Sequence, residues 1–124
     1  MGVSIELLRL LGSSFHFKIG NTLKFLNIMS DLKKRIQEDI ASISWQEILP
    51  HAKRDAVFVI NEQLDLLEVA EAIALDNTSL VSNWIAEQLI AKPSNTQLTH
   101  WNSNPETQFT TAIVQPFVII QPIN

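Results

Sequence analysis

The chain of 124 residues has no cysteine. That excludes disulfides, thiol catalysis, iron–sulfur ligation and the common structural zinc sites, and it is compatible with a reducing compartment. Glycine is scarce as well: Gly2, Gly12 and Gly20 are the only three. Residues 29–124 therefore cannot build the glycine-rich loop whose backbone N–H groups close around a phosphate. Gly-x-Ser-x-Gly, His-x-x-x-His and His-Glu-x-x-His spacings are all missing, so neither a nucleophile elbow nor a helical metal motif is present. Long apolar runs are absent too. Arg9 and Lys18 interrupt the first apolar stretch before the roughly 20 residues that a bilayer span needs, and no membrane span is expected. A secretory signal is disfavoured by the acidic first charge, Glu6, and by the lack of a small-x-small cleavage site.

Positive charge is missing from one half of the chain. Residues 1–59 carry eight Lys and Arg against six Asp and Glu, whereas residues 60–124 carry Lys92 alone against seven. Affinity for nucleic acid is built from clustered Lys and Arg, so an acidic C-terminal half argues against a nucleic-acid partner. What is abundant is apolar surface: the chain is 46% hydrophobic, with six Phe and three Trp. At this length it forms one folded domain.

Residues 1–28 read as a non-native or disordered N-terminal extension, with the folded domain spanning 29–124; a membrane-surface amphipathic segment is the alternative for the extension. Ser30-Asp31 has the form of a helix N-cap, followed by Leu32, Ile36, Ile40 and Ile43 at helical spacing. Ser44-Trp45-Gln46-Glu47 has the form of a capping box, and Pro50 should kink or restart the helix that follows. Ala56 to Ile60 is a β-favouring apolar run that fits a strand buried on both faces. Asp65 caps a helix with Leu66, Val69, Ala70 and Ile73 turned inward, which Asp76-Asn77 ends.

Asn77 or Thr78 caps the next helix, whose apolar face is Leu80, Val81, Trp84 and Ile85. Leu89 to Ala91 is a short strand, and Ser94-Asn95-Thr96-Gln97 opens a helix bearing Leu98 and Trp101. From Thr107 to Gln121 the pattern predicts one long final strand, bent or at an edge because Pro116 and Pro122 cannot donate ladder hydrogen bonds. The expected fold is α+β: a small, three-stranded, mainly antiparallel sheet packed against four or five helices, winged-helix-like in its element order.

Several of these residues carry a family resemblance. Trp45 to Leu49, Ala56 to Ile60, Leu64-Asp65-Leu66-Leu67-Glu68-Val69-Ala70, Asp76, Trp84-Ile85, Pro93, Trp101 and Val114-Gln115-Pro116-Phe117-Val118 together resemble the bacterial family catalogued as domain of unknown function 2288, over about residues 29–122. The resemblance implies a small bacterial cytoplasmic protein. It supplies no catalytic or binding residue.

The candidates for chemistry are few. Glu62, Asp65 and Glu68 form the densest acidic cluster, but Asp65 and Glu68 sit where a helix start uses them. His51 and His100 are isolated from each other. Lys33-Lys34-Arg35 fits a solvated helix face with Asp31 and Asp39 nearby. Trp45 and Trp84 fall on apolar helix faces and belong to a core, while Trp101 lies in a polar helix and should be partly exposed. No catalytic residue, cofactor-binding residue, cofactor or metal ligand is assigned.

Two function classes remain open. One is a non-catalytic protein-interaction or accessory module, with a protein partner or a homodimer contacting Trp101 and Phe117, Val118, Ile119 and Ile120. The other is a winged-helix-like nucleic-acid binder, which the acidic second half disfavours. An enzyme comes third, for want of converging groups.

Overall fold

The computed structural model describes residues 19–123. Helix α1 (Ile19–Asp39) leads into strand β1 (Ala41–Ser44), helix α2 (Trp45–Lys53) and strand β2 (Val57–Ile60). Helices α3 (Leu66–Ala74) and α4 (Thr78–Ala86) follow, then β3 (Ile90–Ala91), α5 (Asn95–Ser103), β4 (Gln108–Val114) and β5 (Phe117–Pro122). The fold is α+β, with five helices among the described residues and one mixed, five-stranded sheet in the order β1-β4-β5-β2-β3. Strands β2 and β5 run parallel, and every other pair is antiparallel.

This corrects the expected three-stranded, winged-helix-like sheet in two places. The stretch from Thr107 to Gln121 is two strands, because the chain turns at Gln115-Pro116, whose peptide bond is cis, and pairs Val114 with Phe117. The segment Ala41–Ser44, read as the tail of the first helix, is a strand that pairs with β4. Ser30 and Asp31 lie inside α1 instead of opening it. Apolar residues continue upstream at helical spacing, through Ile28 and Phe25, and no Gly or Pro interrupts residues 21–39. Residues 1–18 of the expected N-terminal extension lie outside the described residues.

Side chains alternate across the strands and fill two cores, one on each face of the sheet. On the first face Ile60, Ala112, Val114 and Ile119 meet Leu66, Val69, Ala70 and Ile73 of α3, flanked by Ile36 and Ile40 of α1 and its exit and by Val81 and Trp84 of α4. On the second, Val57, Val118, Ile120 and Phe109 meet Trp45 and Ile48 of α2 and Trp101 of α5. With helices covering both faces, β5 is apolar on both sides, and Val118, Ile119 and Ile120 are all buried.

Helix ends follow local chemistry. Asp65 accepts from the Leu67 N–H, Asn77 from that of Leu80, and Ser94 with Gln97 makes a complete capping box. At α2 the expected box does not form: Ser44 makes no side-chain cap bond. The first N–H groups of α2 are satisfied from across the fold, Trp45 donating to the Thr107 carbonyl at 2.8 Å and Gln46 to that of Pro105 at 3.0 Å. Pro50 sits within α2 without ending it.

Helices α2, α3 and α4 each close on a residue with positive φ: Asp55 (61°), Asp76 (57°) and Gln88 (62°). After α3 the Asn77 N–H returns to the Ala72 carbonyl and the Asp76 N–H to that of Ile73, the paired bonds of a Schellman turn. The same pattern follows Arg54 and Glu87. Glycine usually holds this left-handed position; here, downstream of the last glycine, Asp and Gln carry it.

Candidate functional site

The described surface has a pronounced apolar concavity beside α4. The four large apolar residues of α4 occupy one side of a nine-residue helix that begins directly after the turn at Asp76-Asn77. The sheet does not cover this side completely: none of the α4 residues is fully buried. Val81 and Trp84 lean on the first core, while Leu80 and Ile85 stay 37% and 51% exposed. Trp84, expected within the core, is therefore only half-buried at its margin.

Beneath α4 lies a cavity of about 220 Å³. Its floor is Phe58 of β2 and Phe117 of β5, whose rings meet edge-on at 5.6 Å. Ile73 of α3, Ile90 of β3, and Val81 and Ile85 of α4 form the walls, and Asp76, Asn77 and Thr78 close one end. Phe58 and Phe117 point here because the residues flanking them, Val57 and Val118, belong to the opposite face.

The two helices that flank the cavity carry charge of one sign. Residues 65–87, which contain α3 and α4, include Asp65, Glu68, Glu71, Asp76 and Glu87 and no Lys, Arg or His. The Glu71 carboxylate is half-buried, and its Oε2 atom has no hydrogen-bond partner. The nearest base in sequence, Lys92, is ion-paired with Asp55.

The other candidates do not converge. The Asp65 carboxylate is used in capping α3, and no group of three His, Asp or Glu side chains among the described residues is placed to hold a metal ion. His51 lies against the Arg54 guanidinium at the end of α2. His100 sits on the exposed polar side of α5, with Thr96 and Thr99. Lys33, Lys34 and Arg35 are exposed on α1. No described helix is long and apolar enough to cross a membrane.

Trp101, expected to be partly exposed, is 6% exposed. Its ring centroid lies 5.0 Å from that of Trp45, the planes tilted by 53°, and the ring meets Phe109 edge-on at 4.8 Å. Phe117 to Ile120 belong to an interior strand paired on both sides, to β4 and to β2, so the backbone groups that an edge would offer a partner are used within the sheet. Sequence reasoning placed a partner there because the final hairpin looked like one strand. The signal that could have found the groove was the five-carboxylate stretch around an apolar helix.

Residues 31–122 match the family model described as "Protein of unknown function (DUF2288)". No curated protein matches the chain at a significant level. Among solved structures the chain is similar to one described as "NMR solution structure of PA1075 from Pseudomonas Aeruginosa", at 29% identity and a TM-score of 0.65, over 77% of this chain and 87% of that one.

Proposed function

Since the chain belongs to the DUF2288 family, we propose that it is a small, non-catalytic protein-interaction module of the bacterial cytoplasm, and that it takes its partner in the groove between α3 and α4. The observation that carries this reading is an apolar cavity lined by Ile85, itself 51% exposed, under a helix that also exposes the neighbouring Leu80. Contiguous apolar surface beside a pocket is the usual ground plan of a docking site, with the pocket taking an anchor side chain.

Nucleic acid is not the partner in this reading. Asp76 lines the groove, and residues 65–87, which contain both flanking helices, carry five carboxylates and no Lys, Arg or His, a balance that would repel a phosphate backbone.

Affinity capture tests the proposal, with the native chain and the Leu80→Asp, Ile85→Asp variant as parallel baits after nuclease treatment. Both positions are exposed enough for the variant to keep its fold. The native bait should retain a protein that the variant loses at least about 10-fold. Equal recovery by both baits, or loss of the partner on nuclease treatment alone, would contradict the reading.

A further inference from the structure

We propose that the occupant of the α3–α4 groove is a cationic amphipathic helix of another protein, an inference that rests on the docking reading above and adds the chemistry of the partner. The cavity volume, about 220 Å³, sets the size of the anchor. An engineered apolar cavity of about 150 Å³ in another protein holds benzene, so this one accommodates an aromatic or large aliphatic side chain.

The floor sets the conformation. Phe58 and Phe117 lie on β2 and β5, which pair with each other and, on their far sides, with β3 and β4. The floor strands therefore offer no ladder to extend, and the open edge of β3 is only two residues long, so an occupant must satisfy most of its own N–H and C=O groups as they leave water. A helix does so internally, and its apolar side chains at i, i+3, i+4 and i+7 reach into such a groove.

Charge sets the sign. Asp76 lines the cavity just ahead of α4, and Glu87 caps the helix at its other end. Glu71, on the adjoining helix, adds a third carboxylate, with one oxygen buried and without a hydrogen-bond partner. No Lys, Arg or His of residues 65–87 balances them. Lys or Arg flanking the apolar anchors of an arriving helix would, and carboxylates at the same positions would be repelled.

The experiment uses the full chain, isotope-labelled and titrated at low salt with two synthetic helical peptides of roughly 15 residues, long enough to form some helix in water. They share Leu and Trp anchors at i, i+3, i+4 and i+7 and differ only in carrying Lys or Glu between them. The Lys peptide should shift the resonances of Ile73, Val81, Ile85 and Phe117 and bind at least about 10-fold more tightly than the Glu peptide, with the advantage shrinking as salt is added. In the Glu71→Gln, Asp76→Asn, Glu87→Gln variant the preference should fall to within about 3-fold. Asn tolerates the positive φ at position 76, so the variant keeps the turn.

Equal binding of both peptides overturns the cationic partner. The docking reading survives that result if Leu80→Asp, Ile85→Asp abolishes both interactions. Failure of the Lys peptide to shift the groove resonances also overturns the inference. So does concentration-dependent shifting without peptide, which would make a second copy the occupant; capture by the native but not the Leu80→Asp, Ile85→Asp bait continues to judge the docking reading separately.

Discussion

Replacing Trp45 by Ala should destabilise the domain by about 3–5 kcal/mol, among the largest costs of any single truncation, because the deleted ring leaves a hole that its neighbours cannot fill. Trp45 is 0% exposed. Its ring centroid lies 5.0 Å from that of Trp101 and 6.0 Å from that of Phe109. The indole Nε1 donates to Asn102 Oδ1 at 2.8 Å, so the same substitution unpins α5 from α2. Tilted aromatic pairs add about 0.5–1.5 kcal/mol each beyond area burial, which places the loss at the upper end of the range. Denaturant unfolding followed by far-ultraviolet circular dichroism gives the number. A midpoint within error of the native chain would mean that the three rings do not form the second core.

The second large effect is expected at Ile119. It stands in the middle strand of five, facing α3, with β4 and β2 on either side and no exposed surface. Ile119→Asp removes an aliphatic anchor and places a carboxyl group where no described base is at hand. The two penalties together come to about 5 kcal/mol or more. A domain of this size is stable by only about 5–15 kcal/mol, so most of the margin disappears. The variant should show a collapsed amide spectrum and lose its near-ultraviolet signal. Were Phe117 to Ile120 a free edge for a partner, Ile119→Asp would remain folded with dispersed resonances.

These two residues also mark where the sequence was legible and where it was not. Cap chemistry acts over two or three residues, so Asp65, Asn77 and Ser94 announced their helices correctly. The cap at Ser44 shows the limit of that locality: the helix begins where expected, yet the carbonyls of Pro105 and Thr107 take the work of the serine hydroxyl. Partners brought together only by the fold cannot be read from a window of sequence.

Sheet pairing fails to show itself for the same reason. Ala41–Ser44 is too short and too polar to resemble a strand, and only its register with β4 makes it one. Trp101 looked exposed because its own helix is polar; the rings of Trp45 and Phe109 that bury it come from other elements. The groove was half visible. The apolar stripe from Leu80 to Ile85 was evident, as was the absence of bases around it, but periodicity says only that a helix has an apolar side, not how much of it the sheet has room to cover.

Docking at the α3–α4 groove is tested most directly by photo-crosslinking in cells, with a photoreactive amino acid placed at Ser82 on the groove lining or at Thr96 on the polar side of α5. Both positions are exposed, and they lie on helices covering opposite faces of the sheet. The account predicts a discrete protein adduct from position 82, lost when Leu80→Asp and Ile85→Asp are added, and none from position 96. An adduct from position 96 alone, or one from position 82 that persists in the Leu80→Asp, Ile85→Asp background, would contradict it.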